Sequence, residues 1–84
     1  MYPTYELQVH TDHGWIKVEG TESSSTPHHY DTLRAKFDQL VSGTRPYRAH
    51  FVREFGYRIA HRYDNPTASW QTVDQWMAYQ IGAR

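Results

Sequence analysis

The densest chemistry in this 84-residue chain lies in residues 45–63, RPYRAHFVREFGYRIAHRY. The stretch holds five of the seven arginines, five aromatic side chains and two histidines, against one acid, Glu54. Its net charge is +4, while the remaining four cations and eight acids give −4 elsewhere. A planar guanidinium bonds carboxylate or phosphate through a fork of donors, and an aromatic ring beside it offers a surface for stacking. The residues that suit capture of an acidic ligand are Arg48, Arg53, Arg58 and Arg62, with Tyr57 and Tyr63 as stacking or packing anchors. Alternating Arg with Tyr or Phe is also what an antiparallel strand with one wet and one dry side looks like. The pattern alone therefore proves no ligand, but the sorting of charge goes beyond what alternation requires.

Six histidines are the next candidates. Zinc needs three or four ligands converging at about 2 Å. Here His10 and His13 flank one turn, His28 and His29 open a helical stretch, and His50 and His61 lie in the basic segment. Neighbours such as His28 and His29 point in different directions, so no metal site is expected. His50 or His61 can still tune a positive surface, because imidazole titrates near neutral pH.

Catalytic patterns give no nomination. No Ser or Thr sits in a nucleophile elbow, and no glycine-rich loop offers to hold phosphate. Glu19 and Glu22 fall in or beside a loop, and Asp12-His13 is a pairing without further support. The sequence reads as non-enzymatic, with no cofactor implied.

The elements that must position these residues follow from periodicity. YELQVH (5–10) alternates apolar Tyr5, Leu7 and Val9 with polar neighbours, as a half-buried strand does. TDHG is a turn, with Asp12 expected to bond its backbone and Gly14 free to take positive φ. WIKVEG (15–20) is the return strand, with Ile16 and Val18 inward and Trp15 at the open end. After a Ser/Thr loop, Thr26-Pro27 resembles an N-cap followed by proline at the first helical position. Tyr30, Leu33, Phe37, Leu40 and Val41 then form a helical stripe, and Gly43 stands where a left-handed cap is favoured.

Arg45-Pro46 breaks that helix. Residues 47–63 read as two strands meeting at Phe55-Gly56, or as one bent strand. Toward the C-terminus, Thr72 and Gln75 have capping-box spacing, and Val73, Trp76, Met77 and Ile81 fall on one helical stripe closed by Gly82. These signals predict a second helix. The fold class expected is α+β: one domain over residues 1–84 with the order β-β-α-β-β-α, a small antiparallel sheet and the long helix packed on one face.

Composition sets further bounds. Three Trp, seven Tyr and three Phe supply most of the area for a core that is otherwise small. Trp15 and Trp70 are either partly exposed or plugs at the ends of that core. The absence of cysteine removes disulfides and thiolate chemistry. The N-terminus lacks the pattern of a signal peptide, and no segment approaches the roughly 20 apolar residues of a membrane span. A cytoplasmic protein is the expectation.

YELQVHTDHGWIKVEG, the helix DTLRAKFDQLVSG and the strand YRAHFVREFG together resemble the small orphan proteins of tailed bacteriophages, particularly those of actinobacterial hosts. The likeness spans residues 5–60 and is one of overall style, carrying no diagnostic motif. It implies a protein that binds and blocks or modulates a host macromolecule. The function expected is thus a protein-interaction module whose partner has an acidic surface. A nucleic-acid binder using the same face is the alternative, and a homodimer joined through a strand edge is a third arrangement. Reversing charge at Arg48 and Arg58 is expected to abolish capture while leaving the melting temperature nearly unchanged.

Overall fold

The computed structural model describes residues 3–43, 55–63 and 67–77. Strand β1 (Thr4–Thr11) turns into β2 (Gly14–Lys17), and the chain crosses through helix α1 (His29–Gly43) to β3 (Gly56–Arg62) and β4 (Gln71–Met77). The sheet order is β2-β1-β3-β4, with every neighbouring pair antiparallel. β2 and β3 therefore run in the same direction on either side of β1. The helix carries the chain over β1, as a crossover between such strands must.

The β1–β2 hairpin closes on Asp12 and His13. Neither has positive φ; Gly14 does, at 91°. This is how a type I turn followed by a left-handed glycine joins two strands. The side chain bonding the turn is Thr11 in place of the expected Asp12. Its Oγ1 accepts from the His13 N–H at 3.1 Å and donates to the Gly14 carbonyl at 3.1 Å.

The long helix forms where its stripe predicts, but it starts at His29, after a turn in which the His29 N–H donates to the Thr26 carbonyl at 3.1 Å. Gly43 is the last helical residue and has no positive φ, so the expected left-handed cap is absent there. Leu33 and Phe37 meet Leu7 and Ile59 of the central strands in the core. Tyr5, Val18, Tyr30, Leu40, Val41, Tyr57 and Trp76 pack around them. Burying an aliphatic or aromatic side chain of this kind contributes about 1.5–3 kcal/mol.

The C-terminal helix expected from Thr72 onward is instead the edge strand β4. Its register explains why the sequence hides it. Ile59 pairs with Asp74 but Ala60 pairs with Thr72, so Val73 is an extra residue in a β-bulge. A bulge breaks the period of two and leaves apolar residues at spacings that imitate a helix. Thr, Val and Trp suit a strand, and pairing with β3 decides the outcome. Ile81 and Gly82 lie outside the described residues, as does the strand expected at 47–51. The α+β class holds, with one sheet and one helix on its face among the described residues.

Candidate functional site: the sheet face opposite the helix

Register fixes which side chains share a face, since cross-strand partners point the same way. Leu7 pairs with Ile59, and Val9 with Tyr57, so these face the helix. Ile16 pairs with Val9 on the same side, but on the short edge strand it is 47% exposed and does not join the core as expected. Gln8 pairs with Arg58 and Lys17, His10 with Trp15, and Thr4 with Arg62. Those residues share the opposite face, over which no other element packs among the described residues.

Arg58 is the centre of that face. Its Nε donates to Gln8 Oε1 at 2.6 Å and its Nη1 to Thr72 Oγ1 at 2.9 Å. Its guanidinium carbon lies over the Trp15 ring, 4.6 Å from the centroid. One side chain of β3 thus engages residues from all three other strands. Burial lowers its pKa, and the charge of Glu6 works the other way. His10 meets the Trp15 ring edge-on at 4.9 Å, so the indole is held from two directions.

Gln8 is almost wholly buried, 2% exposed. Its Nε2 donates to Glu6 Oε2 at 2.7 Å, and Glu6 Oε1 accepts from Ser23 Oγ at 2.5 Å. The acid on this face is therefore spent within the chain. Ala60 sits between Glu6 and Thr72 and is fully buried, a short side chain among longer neighbours.

Arg62 repeats the arrangement farther along β3, its guanidinium carbon 4.5 Å from the centre of the Trp70 ring. Four residues of strand separate the two arginines by about 13 Å. Trp15 and Trp70, expected to be either exposed or end plugs, are the half-buried undersides of two arginine stacks. Lys17 is exposed on the same face. Among the paired strand residues that share this face, the cations are Lys17, Arg58 and Arg62 and the acid is Glu6.

Tyr57 departs from this group. It faces the helix side, stacks on Trp76 at 6.3 Å and meets Phe55 edge-on at 5.1 Å, so it is a packing residue opposite the arginines. Tyr63 is 58% exposed and lies 5.7 Å from the His61 ring. Arg48 and Arg53 lie outside the described residues, as does His50. Of the nominated side chains, Arg58 and Arg62 are brought together, with Trp15, Trp70, Gln8 and Thr72 as members that periodicity did not name.

A polar seam on the other side joins helix to edge strand. Tyr30 Oη donates to Asp74 Oδ2, and Arg34 Nη1 lies 3.1 Å from Asp74 Oδ1. Arg34 also reaches Asp38 one turn on, at 3.3 Å. The hydrogen bond to Asp74, followed by burial and the charge of Asp74, raises the Tyr30 pKa, with Arg34 opposing. Asp38 and Asp74 are thus drawn together around Arg34, on the side away from the arginine stacks.

A groove of about 430 Å³ runs between the β2–α1 loop and the helix, floored by Leu33 and edged by Glu22, His29 and Lys36. His29 Nε2 is 2.5 Å from the Glu22 carbonyl, which straps the loop to the helix. Among the described residues no three His, Asp or Glu stand close enough to hold a metal. No helix among them is long and apolar enough to cross a membrane. No protein-family model, curated protein or solved structure matches the chain.

Proposed function

We propose that the protein is a non-enzymatic interaction module that binds an acidic protein surface through the sheet face opposite its helix. The observation that carries this reading is the pair of arginine–tryptophan stacks on one face, Arg58 on Trp15 and Arg62 on Trp70. Arg and Trp are the residue types that dominate interface energetics, and side chains already fixed lose little entropy on binding. Lys17 adds charge of the same sign, while Glu6 is engaged by Gln8 and Ser23. In this reading Arg58 holds the platform, and Arg62, Lys17 and the exposed parts of the two indoles meet the partner. The resemblance to phage orphan proteins points the same way, toward inhibition or modulation of a host macromolecule in the cytoplasm.

Affinity capture from host lysate, followed by mass spectrometry, tests it. The expected result is an acidic protein captured by the native chain and lost from an Arg62→Glu, Lys17→Glu variant that still melts within a few degrees of the native protein. Capture of the same protein by that variant would sink the proposal. A nucleic acid on the same face is the second reading, favoured by the pairing of cations with indole surfaces. Gel shifts with single- and double-stranded DNA and RNA at two salt concentrations separate the two, because phosphate binding weakens steeply with salt.

A further inference from the structure

The two edges of the sheet are finished differently. β2 has four residues and ends on exposed Lys17. Beyond it the Val18 N–H donates to the Leu7 carbonyl at 2.9 Å, and Ser24 returns to bridge Tyr5 through bonds of 2.9 and 3.2 Å. The rim of β1 is therefore covered past the end of β2. Short length, an outward lysine and a covering loop are the devices that keep a strand edge from pairing with another chain.

Among the described residues β4 lacks most of them. There it is the last strand of the sheet, with β3 on one side. Gln71, Thr72, Val73 and Gln75 are exposed, Val73 to 41%. Between residues 71 and 77 there is no Lys, Arg or Pro, and the one ionisable side chain, Asp74, turns inward to Tyr30 and Arg34. The bulge at Val73 interrupts the outer row once and leaves Asp74–Met77 in regular register with β3.

We propose that β4 pairs antiparallel with β4 of a second copy of this chain, Gln75 opposite Gln75, extending the four-stranded sheet across a two-fold axis. A copy of itself suits this edge because no like charges meet there. Asp74 arrives with its own Arg34 attached, and the glutamine amides present both donors and acceptors. The guarded β2 edge selects this arrangement over β4-to-β2 stacking, which would propagate into a filament, whereas β4-to-β4 pairing closes at two. The arginine-stack face is left open in both copies, so this inference does not depend on the proposed function.

Light scattering across a concentration series tests the assembly. The expected mass at high concentration is twice the 10.0 kDa of the chain. Gln75→Lys should weaken the dimer by about tenfold or more, with an unchanged circular dichroism spectrum. The chain has no cysteine, so Gln75→Cys should oxidise to a covalent dimer, while Lys17→Cys on the guarded edge should not. A monomer at every concentration overturns the proposal, as does a dimer indifferent to Gln75→Lys. Should the lysine variant fail to fold, the crosslink decides: no covalent dimer from Gln75→Cys refutes the pairing.

Discussion

The guanidinium of Arg58 lies over the indole of Trp15 at 4.6 Å while its Nε donates to Gln8 at 2.6 Å. Trp15 belongs to β2, Gln8 to β1 and the second acceptor, Thr72, to β4. An arginine on a central strand thereby ties together the whole sheet on the side the helix leaves open. The same contacts hold Trp15 in one orientation, so cohesion of the sheet and preparation of its binding face rest on one side chain.

Arg58→Ala should therefore lower stability, contrary to the expectation that charge change at Arg58 would leave melting unaffected. Removing the guanidinium strands Gln8 Oε1 in a site only 2% exposed. An orphaned buried acceptor costs about 1–3 kcal/mol, and loss of the indole contact adds about 0.5–1 kcal/mol. Urea denaturation of Arg58→Ala against Arg62→Ala measures this, with the larger loss expected at Arg58. Equal and negligible losses would show that the contacts of neither arginine contribute to stability.

This is also where sequence reading stops. Alternation placed Arg58 and Arg62 on the wet side of β3, and they lie there. Nothing local shows that Gln8, fifty positions earlier, accepts from one of them. The first hairpin, the helix and β3 were legible because their periods are unbroken, although β2 stops at Lys17, short of the Gly20 expected. β4 was not, because Val73 shifts the pattern by one residue and Thr72 and Gln75 then mimic a capping box. Composition groups Tyr57 with the arginines, but its own parity sets it on the helix side against Trp76.

Gly56 begins β3 at a crowded crossing. A Cβ there would meet Met77 Sδ and stand 2.5 Å from the Trp76 carbonyl oxygen. The sulfur can swing aside, but the carbonyl belongs to the β3–β4 ladder, so the strands themselves must part. Gly56→Ala should destabilise by about 1–3 kcal/mol, the usual cost of overpacking. Gly43→Ala, where a Cβ meets nothing within 4 Å, is the matched control and should leave stability unchanged or slightly raised, since alanine favours helix. Thermal melts of the two variants compare them directly.

The Tyr30–Asp74 bond gives the fold a dependence on alkaline pH. Tyr30 is held above the ordinary tyrosine value of 10.0, first by its hydrogen bond to Asp74. Its folded pKa therefore exceeds its unfolded one, and the folded state binds the proton more tightly. The resulting stabilisation is complete below the unfolded value and is lost as pH rises through the folded one. Phenolate beside the Asp74 carboxylate would also replace attraction with repulsion, while Arg34 at 3.1 Å from Asp74 softens the change. Tyr30→Phe removes the titration along with the bond. Unfolding free energies of native and Tyr30→Phe proteins, measured at pH about 9 and about 11, should differ less at the higher pH. A gap that stays constant between the two would mean that Tyr30 titrates alike in folded and unfolded chains, and the coupling to Asp74 would have to be abandoned.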